Sequence, residues 1–388
     1  MARFFLALCL FFNSTLVFSS QKLTIISPHR KSIQREMIPI FKNFYLKNYN
    51  RKVDVSWVDQ GGSESDLRFV LDQYKKNPLT SNLDIFWGGG EMTFDDLERN
   101  NLLEKVILEP QIAEQIPDQV LGSRLYSQSK RWYATALSSF GIFYNKRLLN
   151  FLSLEEPKSW QDLGLYKYYD NLSIADPQHS SSSLTMFLIM LEGFSWKSSW
   201  KLFSQICANT RRFTHSSSDP IKAVVNGGAV IATSIDFYAQ AKISSIGENN
   251  LGFILPYGKT VLNSDPIAIL KGAPNKQVAK RFIDFILSRQ AQKILILPRG
   301  TKGGPVWSTL GRMAVNPYSY EDTQGVANRS LNPFQLPSFE QQFDAKRMGQ
   351  RKTILKDLLA AFYIDPHRQR KNIWEKMRVA LDGILIST

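Results

Sequence analysis

Four consecutive serines, Ser180–Ser183, stand between a short apolar segment that ends at Ala175 and an apolar helical run, Leu184–Leu191. Asp176-Pro177 breaks the apolar segment, because a residue before proline is driven out of the helical region. Serines ahead of a helix often cap it, and their hydroxyls together with the unpaired N–H groups of the first turn can bind an anion or a polar ligand. A plain cap in front of a core helix is the alternative interpretation.

Further polar residues follow other apolar segments at points where strands would end. Arginine binds phosphate or carboxylate through two parallel hydrogen bonds, and glycine lets the backbone approach a ligand closely. The candidates for ligand binding, besides Asp176 and the serines, are His29, Arg30, Gly89, Gly90, Ser138, Ser139, Asp236 and Tyr238. Each has a structural alternative: Asp236 can cap the next helix, Tyr238 can belong to the core, Arg30 can be a surface residue, and the glycines can make turns.

The elements that would position these residues alternate between strands and helices. Strands are predicted at Lys22–Ser27, Val53–Val58 and Leu83–Trp87, and a helix is predicted after each of them. This order predicts a parallel sheet with helices on both faces. In open sheets of this kind, ligands bind beyond the carboxyl ends of the strands.

A second α/β unit follows a long predicted strand, Tyr133–Asn145, which has Gly141 in its middle. A strand is predicted at Ala229–Ser234, Leu251–Leu255 is predicted to cross back, and Pro266–Leu270 is predicted as the returning strand, with Asp265-Pro266 in a structural role. Two α/β lobes joined by two crossovers predict a hinged binding protein whose ligand lies between the lobes.

The sequence predicts five segments along the chain. They are residues 1–20 (a leader), 21–137 (lobe 1), 138–252 (lobe 2), 253–315 (the return to lobe 1) and 316–388 (a C-terminal helical segment), with hinges at Ser138–Phe140 and Gly252–Pro256. The leader has Arg3, an apolar run from Phe4 to Phe12 and a small residue at Ser19, which is typical of a secretory signal peptide. We therefore expect an exported, periplasmic protein without a membrane anchor.

The charge and the cysteines exclude several classes of function. The chain of 388 residues has 48 Lys and Arg against 34 Asp and Glu, a net charge of +14, but the basic residues are dispersed. Neither a zinc finger nor an RNA-binding aromatic signature accompanies them, so we expect no nucleic-acid partner. Cys207 is the single cysteine after the leader, and we expect it to be a buried inert thiol, with no disulfide, metal cluster or cofactor.

An exported serine hydrolase is a distant alternative. Ser180–Ser183, His179 or His215, and Asp176 supply the residue types of a catalytic triad, but no G-x-S-x-G elbow is present. We therefore expect no enzyme. An exported scaffold or adhesin-like module is a third possibility.

A set of segments in this order resembles the periplasmic solute-binding proteins of ABC importers, in the group that binds ferric ion, thiamine, phosphonates and sugar phosphates. The resemblance covers about residues 22–315, and the segments that carry it are SPHRKSIQREMIPIF, VDQGGSESDLRFV, DIFWGGG, ALSSFGIFYNK, IADPQHSSSS, NGGAVIATSIDFYAQA, DPIAILKGAPN and KRFIDFILSRQAQKIL. It implies a type II two-lobed fold, a mainly parallel sheet in each lobe, a small-molecule ligand, an ABC permease in the inner membrane as partner, and a monomer.

The resemblance also bears on the choice of ligand. Ferric binders of the group use two adjacent tyrosines, a histidine and a glutamate, which implies Tyr238, His29 and Glu91 here, with Glu91 shifted by one position. Phe237 occupies the place of the other tyrosine and lacks the phenolate that a hard Fe(III) ion favours. The serine segment matches the place where the group binds an anion or a ligand phosphate. We therefore favour a small organophosphate-type anion, with ferric ion or thiamine as the alternatives.

Overall fold

The computed structural model describes residues 20–256, 258–327, 332–336 and 344–386. The strands are β1 (Gln21–Ile26), β2 (Val53–Val58), β3 (Ile85–Trp87), β4 (Gln119–Val120), β5 (Ser123–Arg124), β6 (Tyr133–Asn145), β7 (Leu172–Ala175), β8 (Thr210–Thr214), β9 (Ile231–Ile235), β10 (Leu251–Ile254) and β11 (Leu262–Ile269). The leader predicted at residues 1–20 lies, apart from Ser20, outside the described residues.

The α-helices surround these strands. They are α1 (Lys31–Tyr49), α2 (Ser63–Lys76), α3 (Glu91–Arg99), α4 (Pro110–Ala113), α5 (Lys146–Phe151), α6 (Ser181–Gly193), α7 (Trp196–Asn209), α8 (Asp219–Val225), α9 (Asp236–Ile246), α10 (Lys276–Leu287), α11 (Arg289–Ile296), α12 (Tyr318–Glu321), α13 (Ala345–Leu359) and α14 (His367–Ile386). None of the helices in the described part of the chain has the length and apolarity that a membrane crossing requires.

One large sheet runs through both halves of the molecule in the order β2-β1-β3-β11-β6-β9-β7-β8, and β10 also pairs with β6. The strands β1, β2 and β3 pair in parallel, as do β7, β8 and β9. The two central strands, β6 and β11, are antiparallel to their neighbours. We call the half built on β1–β3 and β11 lobe 1 and the half built on β7–β10 lobe 2. The predicted α/β class, mainly parallel within each half, is confirmed.

Each lobe buries both faces of its part of the sheet. In lobe 1, Trp87 packs with Phe41 and Phe282 on one face, while its neighbour Phe86 packs with Phe94 on the other. This alternation follows from the two-residue period of a strand. Each large apolar side chain buried in this way contributes about 1.5–3 kcal/mol. Two further apolar clusters cover the sheet of lobe 2.

The C-terminal helices belong to this packing as well. Leu355 and Leu359 of α13 are buried in the lobe 2 cluster that contains Phe187 and Phe203. Glu192, at the end of α6, is almost completely buried and forms ion pairs with Arg347 and Arg351 of α13. Cys207 lies in the same cluster as a free, buried thiol, and burial raises its pKa, so it is unreactive.

The strand β6 passes from lobe 1 to lobe 2 without a break, and two glycines permit this. Residues 133–139 pair with β11, and residues 140–145 pair with β9 and β10. A Cβ at Gly141 would lie 2.2 Å from the carbonyl oxygen of Ile254, and a Cβ at Gly252 would lie 2.3 Å from the Tyr144 ring. Any larger side chain at either position would push β10 away from β6.

Besides the short elements β4, β5, α4 and α5, which are absent from the prediction, two strands of lobe 2 differ from the predicted elements. β8 (Thr210–Thr214) is missing from the prediction, because the side chains of Arg211 and Arg212 interrupt its apolar pattern. Both arginines are exposed on an edge strand of the sheet, where polar residues are tolerated. The segment around Gly252 lies inside β10 and is paired with β6 in lobe 2, so the chain passes to lobe 1 between Ile254 and Leu262.

Candidate functional site

The register of the central strands brings the carboxyl ends of the strands of both lobes to one place. Ile235, the last residue of β9, lies opposite Phe140 of β6, and Leu262 lies opposite Ser139. On the lobe 1 side, Gly88 follows β3 and donates its N–H to the carbonyl of Pro266 in β11. The loops after β1 and β3 therefore face the loops after β7 and β9 across the middle of β6, in a cleft between the lobes.

His29 is held in the cleft by partners on both of its ring nitrogens. Nδ1 lies 3.0 Å from Ser27 Oγ, and Nε2 lies 2.7 Å from Asp265 Oδ2. Gly88 has a φ of +93°, and a Cβ there would lie 2.8 Å from the imidazole, so the first residue of the triple glycine makes room for this ring. His29 thus serves to connect β1 with the crossover strand β11.

Asp265 connects His29 with a residue that the sequence prediction missed, Arg312. A guanidinium nitrogen of Arg312 lies 2.8 Å from Asp265 Oδ2, and the two side chains are only 5% and 10% exposed. Burial would raise the pKa of Asp265, but the charges of Arg312 and His29 outweigh it and lower the pKa to about 2. Asp265 is therefore a buried carboxylate between a guanidinium and an imidazole, which extends the structural role predicted for it.

Arg312 keeps an unused donor at the lobe boundary. Its Nε is buried and has no hydrogen-bond partner among the described residues. Its guanidinium carbon lies 4.5 Å from the centre of the Phe237 ring in lobe 2. A buried guanidinium with an unpaired N–H is costly, unless an anion or another acceptor completes it.

A second arginine contacts an aromatic ring across the cleft. The guanidinium carbon of Arg30, in lobe 1, lies 3.4 Å from the centre of the Tyr238 ring, in lobe 2. The Tyr238 ring packs edge-on against Phe237, with 4.4 Å between the ring centres. Arg30 as a whole residue is exposed, but desolvation of its guanidinium is the main cause that lowers its pKa, and the positive charge of Arg312 lowers it further. Two guanidinium groups therefore act on the same region of the cleft.

Asp236 and Ser139 lie next to this pair of arginines. Asp236 begins α9 and is 1% exposed; its Oδ1 accepts the N–H of Phe237, and its carboxyl also interacts with the N–H and the hydroxyl of Ser139. Burial raises the pKa of Asp236 to about 7. Ser139 is fully buried beside this carboxyl. Ser138 makes only a long contact of 3.5 Å, from its Oγ to the carbonyl of Asn263.

The serine segment combines a helix cap with a group of hydroxyls. Ser180 is the N-cap of α6 and accepts the N–H of Ser183, whose own hydroxyl donates to the carbonyl of Ala175 at 2.5 Å. Ser180, Ser182 and a residue that the prediction missed, Ser217, place their Oγ atoms 2.9–3.1 Å from one another. Ser183 is therefore structural, whereas Ser182 and Ser217 stay half-buried at the cleft with hydroxyls that can turn toward a ligand.

Asp176 stabilises the turn before these serines through hydrogen bonds to backbone N–H groups of the turn. Its Oδ1 accepts the N–H of Gln178 at 2.8 Å, and its carbonyl accepts the N–H groups of His179 and Ser180. The rings of His179 and His215 pack against each other in a tilted arrangement, with 4.3 Å between their centres, and both residues are exposed. Among the described residues, neither imidazole makes a hydrogen bond to a serine hydroxyl, so the geometry of a catalytic triad is not formed here.

The remaining glycines and Glu91 have local roles. Gly90 precedes α3, and a Cβ on it would lie 3.2 Å from the amide of Asn263, while one on Gly89 would lie 3.0 Å from Ser63. Glu91 forms an ion pair with Arg124, whose Nε donates to it at 2.7 Å. Burial raises the pKa of Glu91, against the opposing charge of Arg124.

The three residues that the ferric interpretation requires are engaged separately. His29 contacts Asp265, Glu91 contacts Arg124, and Tyr238 contacts Arg30. Within the described chain, no group of three or more His, Cys, Asp or Glu side chains has the arrangement to hold a metal ion.

Comparison with known proteins adds a family and a fold. A model of the family described as bacterial extracellular solute-binding protein matches residues 81–302. The phosphoglycerate transport regulatory protein PgtC of Salmonella typhimurium is 25% identical over 226 residues, which are 58% of this chain and 54% of that protein. The chain thus spans about half the length of this curated relative.

Two solved structures share the whole architecture. The periplasmic binding protein AfuA from Actinobacillus pleuropneumoniae, with exogenous fructose-6-phosphate bound, has a TM-score of 0.66 at 21% identity, over 89% of this chain and 99% of that one. The apo ferric ion-binding protein A of Pasteurella haemolytica has a TM-score of 0.65 at 14% identity, over 88% of this chain and 98% of that one. The fold expected from the sequence, that of two-lobed type II periplasmic binding proteins, is confirmed.

Proposed function

The chain belongs to the family of bacterial extracellular solute-binding proteins, and from this premise we propose that it is the solute-binding component of an ABC import system. In this proposal the chain is exported to the periplasm as a monomer and takes up a small phosphate-bearing solute between its lobes. It then delivers the solute to a permease in the inner membrane and catalyses no reaction itself.

The observation that carries the choice of ligand is the buried, unpaired Nε of Arg312 beside the cleft. Arg30 adds a second guanidinium in the same region. Of the two carboxyl groups that the structure places next to these arginines, Asp265 is fully ionised at neutral pH, with a pKa of about 2, whereas Asp236 has a pKa of about 7. The cleft therefore has an excess of positive charge that a phosphate would neutralise. Guanidinium groups suit this task, because their N–H pairs match the oxygen spacing of a phosphate.

Hydroxyls supply the second half of the proposed site. Ser182 and Ser217 lie on the lobe 2 side of the cleft, beside the first turn of α6, whose free N–H groups favour a negative charge. The Asp236 carboxyl and the hydroxyl of Ser139 are both buried and interact with each other. They suit hydroxyl or amine groups on the part of the ligand that does not bear the phosphate.

The comparisons support a phosphate-bearing ligand without fixing it. The Salmonella relative is named for phosphoglycerate transport, and the AfuA structure holds fructose-6-phosphate. Ferric ion is the second candidate, because a ferric ion-binding protein shares the fold. It is less favourable, since His29, Glu91 and Tyr238 each contact a separate partner and Phe237 offers no phenolate. Thiamine is less favourable as well, because its positive ring would face two arginines.

A thermal-shift titration tests the proposal. Phosphoglycerate and fructose 6-phosphate are compared with ferric citrate and thiamine, with free fructose as the control that lacks the phosphate. A ligand at 100 times its Kd stabilises the folded state by about 2.7 kcal/mol. We expect a shift with at least one phosphate ester and none with free fructose. A shift with ferric citrate alone, accompanied by a visible phenolate-to-iron absorption band, would favour the ferric alternative.

A further inference from the structure

An open groove of about 690 Å³ runs along the exposed face of α1 in lobe 1, outside the ligand cleft. Lys31, Arg35, Ile38 and Lys42 line one side of it, at a spacing that places them on one face of the helix, and Trp307 lines the other side. The groove thus combines three cations with apolar surface.

The loop that carries Trp307 is held in place by a buried carboxylate. Glu36, which is 2% exposed, accepts the backbone N–H groups of Val306, Trp307 and Ser308 at 2.8, 2.6 and 2.8 Å. Val306 and Trp307 themselves remain 61% and 54% exposed. Arg35 lies over the Trp307 ring, with its guanidinium carbon 4.0 Å from the ring centre. A fixed, exposed tryptophan beside an arginine is typical of an interaction site, because these residues dominate binding energies at interfaces.

The same loop contacts lobe 2 a few residues further on. The hydroxyl of Ser244, in α9, lies 3.3 Å from that of Thr309, and a Cβ on Gly311 would lie 3.0 Å from Gln240 of α9. Arg312 then contacts both Asp265 and Phe237. On the other side of the groove, Lys31 directly follows Arg30, which contacts Tyr238. The groove is therefore connected at both ends to residues that join the two lobes.

The charges of the groove indicate what occupies it. Lys31 and Arg35 form no ion pair with a carboxylate among the described residues, and Lys42 approaches only the exposed Asp54, at 3.8 Å. A second copy of this chain would bring a net charge of +14 to a positive surface. A flat bilayer would touch the rim of a groove rather than its floor. A segment with carboxylates and an apolar side chain satisfies both the cations and Trp307.

We propose that this groove docks an acidic segment of a partner protein, with an apolar side chain of that segment against Trp307. This inference rests on the proposed function in one respect, since it identifies the partner as the import permease. The loop that carries Trp307 also contacts α9 of lobe 2. A permease bound to this loop would therefore distinguish the arrangement of the lobes seen here from one in which the two lobes are apart.

The test uses a defined probe and a matched control variant. Fluorescence anisotropy follows a labelled twelve-residue peptide of repeated Glu-Glu-Leu-Phe, compared with the same peptide carrying lysine in place of glutamate. The variants are Trp307→Ala and Arg35→Ala, and the control is Trp196→Ala, because Trp196 is 59% exposed on α7 in lobe 2. We expect the wild type and the control to bind the acidic peptide alike, and each groove variant to bind at least fivefold more weakly.

Four other results would overturn the inference. They are equal binding by the groove variants and the control, preference for the lysine peptide, Trp307-dependent binding to phosphatidylglycerol vesicles in place of the peptide, and Trp307-dependent dimerisation in sedimentation. If Trp307→Ala lowers the melting temperature, Trp307→Phe and Arg35→Glu repeat the comparison. The thermal shift with phosphate esters, measured on the same variants, should stay unchanged, so a failure of the ligand proposal is seen separately.

Discussion

The Arg30 guanidinium of lobe 1 lies on the Tyr238 ring of lobe 2, with 3.4 Å between the guanidinium carbon and the ring centre. The contact joins the lobes through the face of the ring without an ion pair, and the Tyr238 hydroxyl also interacts with the guanidinium. The positive charge of Arg30 remains available to an anion at the edge of this contact. Replacing each of these two residues therefore distinguishes a phosphate ligand from a ferric ion.

Replacing the two residues in turn should give different results. Arg30→Ala removes a guanidinium from the proposed site and should weaken phosphate-ester binding about tenfold or more, since hydrogen bonds to charged groups contribute about 1.5–3 kcal/mol. Tyr238→Phe keeps the ring face and should change the Kd less than threefold, as measured by calorimetry. If the protein instead binds Fe(III), Tyr238→Phe should abolish binding and the phenolate-to-iron absorption band of the wild type.

Removing Arg312 should cost stability as well as affinity. Arg312→Met leaves Asp265 buried with His29 as its remaining side-chain partner, and breaking a buried ion pair in this way destabilises by about 3–5 kcal/mol. The double variant with Asp265→Asn should recover part of that loss in urea denaturation but not the affinity for phosphate esters. Full affinity in the double variant would show that Arg312 does not bind the ligand.

The serine hydroxyls are tested by Ser182→Ala combined with Ser217→Ala. Their Oγ atoms lie 3.0 Å apart at the cleft, whereas the hydroxyl of Ser183 is already used by the carbonyl of Ala175. If the pair holds a phosphate, the double variant should bind phosphate esters more weakly by about 1.5–3 kcal/mol. Ser181→Ala, in which an adjacent exposed serine is changed, is the control and should bind normally. Equal losses in both variants would point to a disturbed helix start instead.

Asp236 should give the stability a distinctive pH dependence. Burial raises its pKa to about 7, while an unfolded aspartate has a pKa of about 3.9. Between these values the folded state holds a proton that the unfolded state has released, so the free energy of unfolding should fall as the pH rises from 4 to 7. The total fall is at most about 4 kcal/mol, since each pH unit of difference between two pKa values is worth about 1.4 kcal/mol.

Urea denaturation at several pH values checks this. Asp236→Asn should remove that part of the slope and be more stable than the wild type at pH 8. Asp54→Asn, at a side chain that is 70% exposed, is the control and should keep the wild-type slope. Parallel profiles for the wild type and Asp236→Asn would contradict the prediction.

Local patterns predict most of the fold, and β6 is the clearest case. Its thirteen residues, Tyr133–Asn145, form one buried and mainly apolar strand, and the sequence predicts both of its ends. The strand β8 could not be predicted in this way. It lies at the edge of the sheet, where exposed polar residues are tolerated, so its sequence lacks the apolar pattern by which strands are recognised. The ends of β9 and β7, where Asp236 and the serines stand, are predictable for the same reason as β6.

The partners of the site residues are harder to predict, because they come from distant parts of the chain. Asp265 is 236 residues from His29, and nothing local indicates that they meet. Arg312 lies beyond residues 81–302, which the family model matches, and its signal is only a charged residue after a glycine in an otherwise apolar stretch. Ser217 belongs to a second serine cluster whose position next to Ser182 depends on the pairing of β7 with β8.

The place of β11 between β3 and β6 means that the order of synthesis and the order of assembly differ. The strands of lobe 2 all come from residues 140–254, and its sheet can be completed while the chain is still emerging. The sheet of lobe 1 keeps a gap until residue 269 is present, with the edges of β3 and β6 unpaired. Unpaired edges invite wrong pairing. Lobe 1 is thus synthesised first but completed last, because its strand β11 is synthesised only after all the strands of lobe 2.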